Sequence, residues 1–121
     1  MICEPLHLIA GCGPGQSQPF FSLQPDGSSA LFTLPAGAIF NLTDISVVPA
    51  NITSPTPTFV MFGLRQQIST GTVQLWNFAG YIAQNVERSF VIPVRFGKDF
   101  TVHNEPASVT LSVNLFGYLT L

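Results

Sequence analysis

The chain has 121 residues, which is enough for one domain with a buried core and too few for two. Charged residues make up only 8% of it, against roughly 25% in ordinary soluble domains, and the formal net charge is −2. Lys and Arg form no run and no stretch approaches about 18 consecutive apolar residues, so we expect neither a nucleic-acid partner nor a membrane partner.

Residues 1–27 are rich in proline and glycine, show no sustained hydrophobic period and end in the turn-like sequence Gln24-Pro-Asp-Gly. The sequence therefore predicts an extended N-terminal arm over residues 1–27, outside the folded domain. Apolar side chains on such an arm have to be buried against a neighbouring polypeptide. The interface residues predicted on the arm are Ile2, Leu6, Leu8, Ile9, Phe20 and Phe21.

From residue 28 onwards, short β-like runs alternate with clusters of Gly, Pro, Asn and Asp, and no helical period of useful length appears. This spacing predicts that residues 28–121 form an all-β domain, an antiparallel β-sandwich with jelly-roll topology. The predicted strands are Ala30–Leu34, Ala38–Val48, Thr58–Arg65, Thr70–Gly80, Ser89–Val94, Phe100–His103 and Ser108–Leu121.

Three local patterns add detail to these strands. The apolar phase of the second predicted strand shifts by one residue, which indicates a β-bulge near Thr43 and Asp44. Apolar residues occupy both faces of Thr58–Arg65, which predicts a strand covered on both sides. Pro93 cannot donate a hydrogen bond to a β-ladder, so its strand is predicted at a sheet edge or a bulge.

The outer face of the last predicted strand carries small polar side chains instead of charges. Ser, Thr and Asn can be buried against a neighbour at modest cost if they are hydrogen-bonded, whereas Lys or Glu needs a paired partner. This face is therefore predicted to contact another subunit. Its residues are Ser108, Thr110, Ser112 and Asn114.

Few residues are candidates for catalysis or metal binding. Cys12 lies between glycines, but activation of a thiol needs a nearby base, and no acid in the sequence is arranged to orient His7 or His103. The spacing of Cys3, His7 and Cys12 matches no structural zinc motif. We therefore expect no catalytic residue, no metal and no cofactor.

Aromatic residues suggest an alternative function. Trp76 and Phe78 share one face of a predicted strand, and together with Tyr81 they are candidates for a platform on which sugar rings stack. The chain contains 11 Phe, so aromatic residues in its strands also serve as core residues. Core packing and a carbohydrate-binding platform both stay open.

Three segments carry a likeness to a known family. They are LPAGAIFNLTDISVV at Leu34–Val48, VIPVRFGKDFTVHN at Val91–Asn104 and SVTLSVNLFGYLTL at Ser108–Leu121. Together they resemble the small jelly-roll structural proteins of tailed phages, in which a Pro-Ala-Gly turn begins a long strand and a Gly-Tyr-Leu ending closes the sheet. The likeness covers most of residues 30–121 and leaves residues 1–27 unmatched.

The resemblance implies a virion component of the capsid cement or decoration type. Such a protein binds the major capsid protein at the capsid surface, stabilises contacts between capsomers and is often a homotrimer. Similar jelly rolls also serve as tail or fibre adaptors and as lectin-like domains, and these alternatives stay open. Uncharged strand faces suit a subunit that works in contact with others. We expect a non-enzymatic virion structural protein.

Overall fold

The computed structural model describes residues 3–50 and 57–121, and every helix or strand assigned among them is a β-strand. Each predicted run is occupied by a strand, with ends shifted by a few residues. The strands are β1 (Cys3–Cys12), β2 (Ser17–Pro19), β3 (Phe21–Leu23), β4 (Ser29–Leu31), β5 (Ile39–Pro49), β6 (Thr58–Ile68), β7 (Gly71–Ile82), β8 (Val86–Phe96), β9 (Phe100–Asn104) and β10 (Leu111–Thr120).

The strands form two antiparallel sheets. The six-stranded sheet has the order β4-β3-β1-β10-β5-β8, and the four-stranded sheet has the order β2-β9-β6-β7. Four antiparallel pairs are nested along the chain and alternate between the sheets: β6 with β7, β5 with β8, β2 with β9, and β1 with β10. The prediction of an all-β sandwich is confirmed. Among residues 3–50 and 57–121, no helix has the length and apolar character needed to cross a bilayer.

Side chains from the inner faces of both sheets pack into one core. Phenylalanine rings form part of it: those of Phe96 and Phe100 are 4.3 Å apart, and those of Phe40 and Phe20 each lie 5.5 Å from Phe100. Contacts of this kind add to the stabilisation that apolar burial provides. The fully buried aliphatic residues include Leu8, Leu42, Ile45, Val47, Val60, Leu64, Leu111 and Leu115.

The predicted N-terminal arm is wrong for the described part of residues 1–27. Strand β1 is an interior strand of the six-stranded sheet, paired along Cys3–Cys12 with β10 and over a shorter stretch with β3. Leu8 and Phe20 belong to the core, with exposed fractions of 0% and 1%. The described residues therefore form a single sandwich and not an arm with a separate domain.

The physical reason is an alternation that the prolines and glycines obscure. Leu6, Leu8, Ala10 and Cys12 point inwards, and the residues between them point outwards. Ten residues with a period of two form a half-buried strand even though Pro5 interrupts the apolar pattern.

Two of the local predictions are confirmed. The register between β5 and β8 shifts between Leu42 and Asp44, which is the predicted bulge. The bulge leaves Thr43 without a partner in either ladder, because the register of β10 against β5 also shifts at this position. Pro93 lies in β8, which forms one edge of the six-stranded sheet.

The prediction that β6 is covered on both faces is wrong within this chain. Val60, Phe62 and Leu64 are buried between the sheets, but Met61 on the opposite face is 38% exposed. Phe59, also on that outer face, is half-buried and has the Tyr81 ring 5.3 Å away. The apolar residues on the outside of β6 are partly open to solvent.

Candidate functional site

The most distinctive surface of the described chain is the outer face of β1 and β10, extended by β3 and β4. The outward residues pair across the strands, with His7 opposite Phe116, Ile9 opposite Asn114 and Gly11 opposite Ser112. Phe21 pairs with Ile9 on one side and with Leu31 on the other, so these side chains share the same face. We call this surface the uncharged face; it comprises Pro5, His7, Ile9, Gly11, Phe21, Leu31, Ser112, Asn114, Phe116 and Tyr118.

The uncharged face contains no Asp, Glu, Lys or Arg, and several of its large side chains are open to solvent. Leu31 is 60% exposed, Phe21 39% and Phe116 38%. The His7 ring stacks on Phe116 with the ring centroids 4.3 Å apart, and His7 Nε2 lies 3.1 Å from Asn114 Oδ1, which accepts the ring N–H. The stacking and the hydrogen bond hold this part of the face in one arrangement.

An open groove of about 270 Å³ lies at one end of the uncharged face. A Cβ atom added to Gly11 would meet no atom within 4 Å, so glycine leaves this spot empty. The residues lining the groove are Ile9, Ala10, Gly11, Phe21, Ser29 and Ser112.

The structure separates the interface residues predicted on the arm into two groups. Leu8 and Phe20 are in the core, and Leu6 is half-buried and packs against it. Ile9 and Phe21 lie on the uncharged face, and Ile2 lies outside the described residues.

The predicted strand face is found in part. Ser112 and Asn114 lie on the uncharged face, next to residues that the sequence placed on the arm. Thr110 is exposed just before β10. Ser108 is buried, and its Oγ accepts a hydrogen bond from the Met61 backbone N–H at 3.2 Å, so the prediction is wrong for this residue.

The aromatic platform proposed for sugar binding does not form. Trp76 and Phe78 point into the sandwich, where the Trp76 ring lies 5.7 Å from Phe62 and 5.8 Å from Phe90. Tyr81 is 74% exposed and lies on the opposite face of β7. The odd spacing between Phe78 and Tyr81 places their side chains on different faces, so the three residues cannot bind one sugar together.

A polar cluster on the outer face of the four-stranded sheet is absent from the sequence-based predictions. Ser17 Oγ lies 2.7 Å from His103 Nδ1, and His103 Nε2 lies 3.5 Å from Glu105 Oε1. The expectation that no acid faces His103 is therefore wrong. Sequence offers no signal for the contact of Ser17 with His103, because the pairing of β2 with β9 brings these two residues together.

Hydroxyl, imidazole and carboxylate in this order resemble the triad of a hydrolase, but the surroundings do not complete such a site. Arg65 Nη2 lies 3.6 Å from the same Glu105 oxygen, and none of these residues lines the groove beside Gly11 or the groove beside Asp44 on the other sheet. We interpret the cluster as a cross-strand polar network on a sheet surface. That the chain is not an enzyme stays a prediction.

The two cysteines lie at opposite ends of β1, about 30 Å apart at the usual rise per strand residue, and both are free thiols. Cys3 is exposed and Cys12 is buried. Burial raises the pKa of the Cys12 thiol, partly offset by a backbone hydrogen bond from Asn104. Cys3 and Cys12 therefore cannot bridge to each other or bind one metal ion together.

A second groove, of about 280 Å³, lies where β5, β8 and β10 meet. Asp44 at its edge accepts hydrogen bonds from the hydroxyls of Ser89 at 2.6 Å and Thr43 at 2.9 Å. These bonds favour the charged carboxylate and lower the pKa of Asp44, with Ser89 the larger cause. Charged residues therefore border the uncharged face at β5 and β8, where Asp44 pairs with Phe116 and where Glu87 and Arg88 line the same groove.

No protein-family model matches the sequence, and no curated protein is significantly similar to it.

Proposed function

We propose that this chain is a non-enzymatic structural protein of a virion, which binds the outside of an assembled capsid through the uncharged face. The observation that carries the proposal is the composition of that face, where Phe21, Leu31 and Phe116 are exposed without a charged residue among them. Contiguous exposed apolar residues mark contact surfaces, and hydroxyl and amide groups beside them can be buried at modest cost.

The strand order supports the jelly-roll part of the proposal. If the short hairpin of β3 and β4 is set aside, the remaining strands form two sheets of equal size in which β1 and β10 are neighbours. Nested antiparallel pairs that alternate between two sheets are the arrangement of a jelly roll, a fold used by viral capsid domains. The proposed partner is the major capsid protein, and the proposed location is the capsid surface.

Binding to the assembled shell would stabilise it by mass action. A ligand that binds only the intact shell raises its stability as RT ln(1 + [L]/Kd), which is about 2.7 kcal/mol per site at a concentration of 100 Kd. Occupied sites at the joints between capsomers thus delay thermal disruption. Proteins of the resembled type are often homotrimers, and a homotrimer is the oligomer that we propose on the capsid.

The test is the heat resistance of empty shells assembled from the major capsid protein of the phage that encodes the chain. We expect the wild-type protein to raise the disruption temperature and the Phe21→Glu variant to lose this effect, because the substitution places an unpaired charge in the contact. Ile68→Glu is the matched control, since Ile68 is 46% exposed on the other sheet.

Several results would contradict the proposal. These are an unchanged disruption temperature with the wild-type protein, equal loss of the effect in both variants, and binding to tails instead of shells. A thermal shift of the isolated protein that depends on added sugar would favour the lectin-like alternative instead.

A further inference from the structure

The two sheets have four edges, and one of them differs from the rest. Strands β2 and β4 are edges of three residues each. Edge strand β8 contains Pro93, and its register against β5 breaks, with Val94 opposite Leu42 but Ser89 opposite Asp44. Strand β7 is an edge of 12 residues, and β6 is its only ladder partner within the described chain.

Natural proteins usually protect such an edge from pairing with another chain. They do so with short strands, prolines, charged side chains or bulges. Strand β7 contains no proline and no charged residue. Its single bulge lies at Leu75, and the stretch from Trp76 to Ile82 pairs with β6 without interruption. The other edge of this regular stretch offers main-chain groups to a further strand.

Exposed apolar side chains accompany this edge. Phe90 of β8 packs edge-to-face on Trp76, with the ring centroids 5.8 Å apart, which holds this part of β8 beside β7. The next two residues, Val91 and Ile92, are 101% and 83% exposed. Two adjacent β-branched side chains so fully open to solvent favour burial against another polypeptide.

We infer that β7 pairs with β7 of a second copy of this chain, antiparallel and about a two-fold axis near Ala79. The four edge strands of a second copy of the chain are the candidate partners for β7. Strands β2 and β4 are too short to match β7, and β8 is interrupted by Pro93. Among the described strands, only another β7 offers a regular edge that matches Trp76–Ile82 in length. A two-fold contact requires this self-complementarity.

The residues of β7 suit this register. With Ala79 at the axis, Phe78 of one copy lies opposite Gly80 of the other, so a large side chain meets a residue without one. Asn77 lies opposite Tyr81 in the same way, and no like charges face each other in the pair. The two four-stranded sheets would join into one sheet of eight strands.

This dimer requires only the chain itself and is independent of capsid binding. Two-fold pairing closes on itself and leaves no second long edge in the four-stranded sheet, because β2 at the far side is short. It predicts a dimer, not a trimer, for the isolated protein.

The test compares two double variants by sedimentation velocity between about 1 and 100 μM. In Asn77→Lys/Ala79→Lys, lysines of the two copies face each other across the pairing, since both residues are exposed on β7. We expect the dimer dissociation constant to rise by at least about a hundredfold, because opposed like charges are strongly unfavourable at an interface. The control Thr110→Lys/Ser112→Lys adds the same charge at two exposed residues, one in β10 of the other sheet and one just before it, and should remain a dimer.

A second measurement uses the wild-type protein and does not depend on variants that fold. Backbone amides in Trp76–Ile82 that do not bond to β6 should exchange with deuterium more slowly at high than at low protein concentration. A wild-type monomer at about 100 μM, a trimer, a dimer unaffected by the β7 lysines, or β7 exchange independent of concentration would overturn the inference.

Discussion

Single residues connect parts of the sandwich that are remote in sequence. Asn104 is 0% exposed, and its Nδ2 donates to the backbone carbonyls of Cys12 at 3.0 Å and Val109 at 2.7 Å. Buried carbonyl groups need such partners, and leaving one without a bond costs about 1–3 kcal/mol. One amide group thus joins the end of β1 to the segment that leads into β10.

Asp44 gives a prediction at the same scale. Because Ser89 is the main cause of its lowered pKa, Ser89→Ala should move the pKa of Asp44 up towards the ordinary value of about 4. A lowered folded-state pKa contributes stability above the unfolded-state value, and this contribution is lost as the pH falls through the folded-state pKa. The variant should therefore lose less stability on acidification below about pH 4.

The measurement is an NMR titration of the Asp44 side chain, together with denaturant unfolding at several acidic pH values. Ser46→Ala is the matched control, because Ser46 is the next outward residue of β5 and makes no hydrogen bond to Asp44. If the pKa of Asp44 were the same in Ser89→Ala and in wild type, a group other than Ser89 would be the cause of the lowered pKa.

At the scale of elements, the bulge in β5 and the course of β10 depend on each other. Thr43, which has no partner in the ladders, has its hydroxyl 3.0 Å from the Phe116 carbonyl and 2.9 Å from the Asp44 carboxylate, so these two acceptors share its one proton. The next residue, Gly117, lies so close to the backbone carbonyl of Asn41 that any Cβ atom would collide with it. The bulge therefore requires glycine at this position for space.

Gly117→Ala should destabilise the protein by about 1–3 kcal/mol, because the collision is with backbone and cannot be relieved by a side-chain rotation. Gly11→Ala in the neighbouring β1 is the control, since a Cβ there has open space, and it should be neutral or slightly stabilising. Free energies of unfolding from urea titration test this pair. Equal effects of the two substitutions would contradict the close approach at Gly117.

At the scale of the whole molecule, the sandwich depends on contacts between distant segments. β1 and β10, the first and last described strands, pair along their whole length, so that Leu8 lies opposite Leu115. Of the four nested pairs, only β6 with β7 is a simple hairpin. Each further pair closes a longer loop of chain, and this entropy cost precedes the gain from burial.

Refolding should therefore be slow for a small domain, in the range of about a millisecond to a second at 25 °C. The chain has one tryptophan, and Trp76 packs against Phe62 and Phe90, so stopped-flow fluorescence reports the closing of the two sheets. Refolding complete within microseconds would mean that local contacts dominate the transition state. A variant that keeps the nested pairs, such as Leu31→Ala at an exposed site, should refold at the wild-type rate.

The sequence by itself determined the local features of this protein. Alternation of apolar residues gave the runs that become β5 to β10, and the one-residue shift in that alternation located the bulge at Thr43. Pro93 located an edge strand, because proline lacks the N–H that a ladder needs. The low charge was evident from composition, although not where the uncharged residues gather.

Only the tertiary structure decided which segments lie side by side. Pairing with β10 made β1 an interior strand, joined Ile9 and Phe21 to Ser112 on one face, and brought Ser17 to His103. The physical reason is that alternation defines the two faces of a strand but not its neighbours. Neighbours are chosen by burial and hydrogen bonding between segments that can lie more than a hundred residues apart, as Cys3 and Thr120 do, and no local pattern records that choice.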